Sequence, residues 1–469
     1  MKIRLIEPKP PTMHMWSYSA YPRLGLPMIG AALKQRGHDV LIYFPKMAPI
    51  DWVDVHSAGL VGISATTSTV TAAYQMADAL RIAGIPVVIG GSHVTFMADE
   101  ALRHADYVAR GEGGEALMVE LVEALQGDRE LDSIRGLSYL KDGQAVHNEA
   151  RPACPDLDSL PMPDFSLFVG EERMASLPIM TSWGCPFDCN FCSVTAMFGR
   201  KYRFRSEESV MAELLAKKPE RIFFYDDNLA ANKKRLKRLL TMMIEAGITV
   251  PWQTQMRTDV AKDEELLDLM KRSGCERVAL GLESVNQETL DSFEKSQSVD
   301  DIVRCLDTLH EHGILTHGMF VLGAGEETVQ SVRDTISFAL EHHVSSLMLN
   351  IMTPLPGTLQ YEEMDAAGRI FDRDWEHYDA QHVVFRPLRM TPKQLQREML
   401  HGYRRFYSTR RLIGDVARLD FNDTKIHGWC WWFARSWHVW GDNARNMKAL
   451  RRLPEPRPPA VFTGEAHGG

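Results

Sequence analysis

The chain has 469 residues, 45% hydrophobic and 25% charged side chains, a net charge of −9 and seven cysteines. That length exceeds one ordinary core, so two or three domains are expected with the composition of a soluble globular protein. No run of about 18 or more uncharged apolar residues occurs, which argues against a spanning helix, and an odd cysteine count in a long chain argues against a disulfide framework.

The N-terminus, MKIRLIEPKPP, has one short apolar stretch that stops at Pro8. It reads as a first strand and not as a signal peptide, so a cytoplasmic protein is expected. Further apolar runs predict strands over 3–7, 40–44, 60–64, 86–90 and 106–110, with helices over 25–36, 71–83 and 115–125. Short strands separated by helices specify a parallel sheet covered on both faces. An α/β, doubly wound domain of flavodoxin or Rossmann type is expected over 1–140, with ligands at the C-terminal strand ends.

Residues 141–177 contain Pro152, Pro155, Pro161 and Pro163, which predict a linker without regular structure. A second series of strands is expected near 178–183, 221–226, 250–256, 277–282, 316–322 and 346–351. Repeated βα units of this spacing close into a barrel, and six strands favour a partial (β/α)6 barrel over 178–385. Helices are expected over 394–407 and 429–450, within a helical region spanning 386–452. The proline-rich tail, 453–469, is expected to be disordered.

The chemistry concentrates in Trp183-Gly-Cys185-Pro-Phe-Asp-Cys189-Asn-Phe-Cys192, directly after the first strand of the second series. Three thiolates at this spacing can hold an iron–sulfur cubane and leave one iron without a protein ligand. A zinc site would want four ligands, an electron-transfer cluster a fourth cysteine, and isolated core cysteines no clustering. Cys275, Cys305 and Cys430 read as core residues.

A CxxxCxxC loop with an aromatic before its last cysteine resembles the radical S-adenosylmethionine superfamily. That resemblance implies a 4Fe–4S cluster on Cys185, Cys189 and Cys192. A bound S-adenosylmethionine would be contacted by Phe191, by Asp226, Asp227 and Asn228, by Arg257, and by Glu283 and Ser284, all at or beside strand ends. Each could instead be turn chemistry or a helix cap.

No G-x-G-x-x-G follows the first strand, and no phosphate-binding G-x-x-x-x-G-K-[ST] occurs. Instead Ser64, Thr66 and Thr67, Gly90, Gly91 and His93, and Gly111 and Glu112 follow the first-domain strands. With Tyr21-Pro-Arg-Leu-Gly-Leu-Pro27 they resemble the cobalamin-binding domain fused to one branch of that superfamily. The D-x-H-x-x-G signature for a cobalt-ligating histidine is absent, since His38 and His104 lack the context. His93 is either near the corrin or a hydrogen-bonding loop histidine.

The resemblance implies a cobalamin-dependent radical enzyme acting on an unactivated C–H bond, with C-methylation as the leading reaction. Radical cyclisation or rearrangement, or lipid or tetrapyrrole modification, is the alternative, and a cobalamin-sensing or iron–sulfur binding protein the non-enzymatic one. A small-molecule or lipid-like substrate and a flavodoxin- or ferredoxin-type electron donor are the expected partners, with no nucleic acid.

Residues 389–457 carry a net charge of +9, which leaves −18 on the remainder. This segment could be an ordinary basic surface, or a dock for an anionic substrate, a membrane face or a reductase. On a helix Trp429, Trp432, Phe433, Ser436 and Trp440 would share a face, either packed on the barrel, lining an apolar substrate or touching a membrane.

Overall fold

Two parallel sheets organise the chain in a computed structural model that describes residues 1–10, 15, 21–187, 189, 191–293, 295, 297–325, 327–417, 421–437 and 441–451. In the first, strands β1 (Lys2–Ile6), β2 (Asp39–Tyr43), β3 (Leu60–Ser64), β4 (Val87–Gly90) and β5 (Tyr107–Ala109) lie parallel in the order 2-1-3-4-5. This is the flavodoxin-like version of the doubly wound fold, with its switch point between β1 and β3. Helices Gly25–Gln35 and Gly114–Leu125 cover one face, burying Leu26, Met28, Leu33, Leu117, Met118 and Leu121.

The expected boundary at 140 and the structureless linker over 141–177 both need correction. Strands β6 (Leu137–Lys141) and β7 (Gln144–His147) form an antiparallel hairpin that extends the sheet to seven strands. Asp142 and Gly143, at φ 53° and 79°, form the tight Asp-Gly connection that hairpins favour. Farther along, Leu157, Phe165 and Phe168 return to the first core, and Val169 N–H donates to Ile42 O at 3.0 Å. The prolines suppress long elements, yet apolar side chains between them still anchor the segment.

The second sheet contains β8 (Leu177–Ile179), β11 (Ile222–Phe224), β12 (Trp252–Met256), β13 (Cys275–Glu283), β14 (Leu315–Leu322) and β15 (Ser346–Ile351). These six parallel strands pair in chain order, the arrangement of the expected partial barrel. Intervening helices start on side-chain caps: Ser298 and Asp301 form a reciprocal capping box before Val299–Glu311, which satisfies N–H groups that a helix start leaves unpaired. A short antiparallel pair, β9 (Ser182–Trp183) and β10 (Arg203–Phe204), brackets the cysteine loop.

An open barrel leaves β15 at the edge of its sheet, and the C-terminal helix Pro392–Phe406 covers it. Tyr403 and Tyr407 hydroxyls receive the backbone N–H of Leu349 and Leu347 at 2.9 and 2.8 Å and donate to the carbonyls of the same residues. Edge groups that could template aggregation are thereby satisfied.

The helix expected over 429–450 is instead two, Phe421–Ser436 and Gly441–Leu450. Its buried stripe is Cys430, Phe433, Ala434 and Trp437, the spacing of one helical face. Trp432, expected to share a face with Phe433, is 39% exposed while Phe433 is buried. Trp440 and the tail 453–469 lie outside the described residues. No described helix is long and apolar enough to cross a membrane.

Candidate active site

Trp183 ends β9, and Gly184 turns the chain at φ 80°. A Cβ there would lie 2.4 Å from the Lys201 carbonyl oxygen, so only glycine permits this close approach. Cys185, Cys189 and Cys192 follow on one loop. Cys192 N–H closes a turn onto the Cys189 carbonyl at 3.1 Å, and Cys192 is also the first cap of helix Ser193–Phe198.

All three thiols are half-buried, and burial pushes each above the usual thiol range, Cys192 to about 11. Metal binding would therefore release protons. Among the described residues no three ligating side chains are already gathered in metal-binding geometry, and Asp188 and Asn190 lie outside them. The donor set fits a cubane chemically: three soft thiols on one loop. Cys275, Cys305 and Cys430 are committed to the core.

Around the loop, the expected S-adenosylmethionine residues divide. Phe191 packs on Phe293 with ring centroids 4.7 Å apart. Asp226 is fully buried; it accepts Thr181 N–H and Oγ1–H at 3.1 and 2.7 Å, and the Ser182 hydroxyl. Its carboxylate ties the chain just beyond β11 to that just beyond β8, a structural role that its full burial favours over the expected ligand contact. Asp227 lines the cavity described below with its side chain open to it, and desolvation there together with the neighbouring Asp226 raises its carboxyl.

Asn228 is buried with its Oδ1 unpartnered. Arg257 stacks on Phe187 at 3.8 Å and donates to the Lys295 carbonyl. Glu283 sits at φ 60°, a backbone region costly for a non-glycine residue and concentrated at functional sites. A nearly buried ion pair with Lys295 holds it there, and Lys295 Nζ also donates to the Gly281 carbonyl at 2.6 Å. Ser284 Oγ accepts Asn286 N–H at 3.1 Å and acts as turn chemistry.

Lys295 escaped the sequence analysis, although a lysine a dozen residues beyond Gly281-Leu-Glu283-Ser284 was visible. Glu327 escaped too. It is buried, its carboxylate accepts Gly323 N–H at 2.5 Å, and burial pushes it up to about 7.

A cavity of about 370 Å³ opens between the two sheets. The first domain contributes Ser64, Gly90, Gly91, Gly111 and Glu112, and the barrel contributes Trp183, Phe198, Tyr225, Asp227 and Gln255. A run of glycines leaves one wall without side chains, while Leu5, Gly62, Val88 and Met118 make an apolar floor between sheet and helices. A wide, backbone-lined mouth over an apolar slot fits a corrinoid: a flat macrocycle that carries amides and an aromatic base.

Three expected cobalamin contacts fall elsewhere. Thr66 accepts from Arg23 and forms a capping box with Thr69, and Thr67 is buried beside it. His93 is buried outside the cavity lining, with Nε2 3.4 Å from Glu100 and its ring edge-on to Trp375 at 4.8 Å. Its place outside the cavity lining favours the hydrogen-bonding role over one near the corrin.

Comparison with known proteins agrees with this arrangement. The radical SAM superfamily model matches residues 179–339 and the B12 binding domain model residues 17–120. An uncharacterised methyltransferase, PH0819, of Pyrococcus horikoshii is 31% identical over 415 residues, which cover 84% of this chain and 90% of that one. Bacteriochlorophyllide d C-12(1)-methyltransferase of Chlorobaculum tepidum is 27% identical, covering 91% and 90%. The radical S-adenosylmethionine methyltransferase TsrM of Kitasatospora setae, solved with cobalamin and an iron–sulfur cluster, has the same fold. Its TM-score is 0.67 at 18% identity, covering 93% of this chain and 99% of that one.

Proposed function

The chain belongs to the cobalamin-dependent radical S-adenosylmethionine enzymes, and on that premise we propose that it methylates an unactivated carbon of a small-molecule substrate. The family's cofactors are a 4Fe–4S cluster, S-adenosylmethionine and cobalamin. When bound, they supply the one-electron chemistry that removes hydrogen from carbon and the methyl group that replaces it.

The observation that carries this reading is the shared cavity: the wall formed by Trp183, Met197 and Phe198 belongs to the cysteine loop and its helix, and faces the glycine wall of the first domain. The cavity's barrel wall thus adjoins the cysteine loop, so a corrinoid held there would lie next to the loop that would carry the cluster. Cys185, Cys189 and Cys192 would hold the cluster. Phe191, Arg257, Asn228 and the Glu283–Lys295 pair would orient S-adenosylmethionine beside it. Gly90, Gly91 and Gly111 would let the corrinoid approach backbone, and the aromatic wall would exclude water.

Methylation is put ahead of cyclisation because the two relatives described above, both named methyltransferases, match over more of this chain than do relatives named magnesium-protoporphyrin cyclases. Electrons would come from a flavodoxin- or ferredoxin-type donor. A groove of about 810 Å³ lined by Lys393, Arg397, His401, Arg404, Lys448 and Arg451 suits such an acidic partner. Exposed Ile413, Val416 and Trp432 suit peripheral contact with a membrane.

The test is anaerobic reduction of reconstituted protein with S-adenosylmethionine and cobalamin. 5′-Deoxyadenosine and S-adenosylhomocysteine are both expected, and 5′-deoxyadenosine alone would leave radical chemistry without methyl transfer.

A further inference from the structure

Glu115 lies in the first turn of helix Gly114–Leu125 and lines the interdomain cavity. Only 7% of the residue is exposed, and its Oε2 is buried with no hydrogen-bond partner. Burial pushes its carboxyl up, and the nearby Glu112 adds to that, against its own backbone N–H and Arg151. Arg151 does not satisfy it, because that guanidinium is already shared by both oxygens of Glu120. An acid placed only for the helix dipole would work as well in solvent. A buried orphan oxygen costs stability, so its position beside a cavity points to a partner that arrives later.

We propose that Glu115 is a corrinoid-recognition residue whose unpartnered oxygen accepts a hydrogen bond from an N–H or O–H donor of the bound cobalamin. This rests on the placement of cobalamin in the interdomain cavity. Corrinoids present two such donors, the primary amides around the ring and the ribose hydroxyl of the nucleotide tail. Among the described residues no side chain reaches that oxygen, and Gly25, Ile29 and Gly114 on the same cavity lining bring only backbone and an aliphatic chain. Gly114 has Ile29 so close that an added Cβ would meet it at 3.1 Å, so that wall carries no bulk beyond the Ile29 side chain.

The experiment titrates hydroxocobalamin and, separately, cobinamide into wild-type protein, E115Q and E115L, following the visible spectrum, and melts each cobalamin-free protein. E115L should bind about tenfold more weakly, the scale of one lost hydrogen bond from a charged or buried group, while E115Q stays near wild type because its amide preserves the contact. Cobalamin-free E115L should melt higher than wild type, since the orphan is gone. Equal weakening for both ligands assigns the donor to a ring amide, and weakening for cobalamin alone assigns it to the nucleotide tail. Unchanged affinity in E115L overturns the role, as does weaker binding accompanied by a lower melting temperature, which would mark Glu115 as structural. Wild-type protein that binds neither ligand overturns the placement of the cofactor itself.

Discussion

Glu112 and Arg203 join the two halves of the molecule. The Arg203 Nη1 and Nη2 groups donate to the two carboxylate oxygens of Glu112 at 2.8 and 2.6 Å, with side chains only 10% and 6% exposed. Arg203 also donates to the Cys154 carbonyl and lies over the Trp183 ring. A bidentate, nearly buried pair thus ties the glycine loop of the first domain to the hairpin that brackets the cysteine loop.

Breaking that pair should loosen the chamber. Arg203→Ala leaves Glu112 buried and uncompensated, and is expected to cost about 3–5 kcal/mol, whereas Arg203→Met with Glu112→Leu should recover most of it. Urea unfolding of the three proteins checks the stability. Hydrogen exchange over 182–204 should rise in Arg203→Ala alone.

Replacing Cys185, Cys189 or Cys192 by alanine is expected to abolish the iron–sulfur absorption of reconstituted protein and the cleavage of S-adenosylmethionine. Alanine at Cys275, Cys305 or Cys430 should leave both intact, because those thiols are closed in the core. Iron retained by any variant of the first group would contradict the assignment.

Much of this arrangement was legible. Six apolar runs anticipated the six parallel strands of the barrel, because apolar β-runs recurring at βα spacing have few other ways to be buried. The Asp142-Gly143 hairpin carried a strong local signal, yet proline density nearby concealed it. Asp226 and Asp227 could not be told apart by sequence: adjacent strand-end residues point to opposite sides, and only the fold shows Asp226 consumed by Thr181 and Ser182. The Glu112–Arg203 pair joins segments 91 residues apart that meet only in three dimensions, while Lys295 stood only 12 residues beyond Glu283 without a motif to mark it as the partner.

Glu283 is held at its positive φ by Lys295, and such a conformation costs on the order of 1–3 kcal/mol. Lys295→Met should free the Glu283 side chain and weaken S-adenosylmethionine binding by about tenfold, or ~1.4 kcal/mol. Calorimetric titration of the reconstituted protein measures it. An affinity equal to wild type would remove Glu283 and Lys295 from the binding site.

Glu327 gives the cleanest pH signature. Burial raises its carboxyl to about 7, with Gly323 N–H acting in the opposite sense. A carboxyl whose folded value lies above its unfolded one favours the fold when protonated. Its contribution is therefore complete below about pH 4 and is lost as pH rises towards 7. The full loss is of order 3 kcal/mol. Glu327→Gln keeps a neutral group of the same shape and should flatten this dependence. Urea midpoints at several pH values between 5 and 8 compare the two proteins: wild type should fall relative to Glu327→Gln across that range. Parallel curves would mean that Glu327 is ionised in the fold and that the Gly323 N–H, not protonation, keeps it buried.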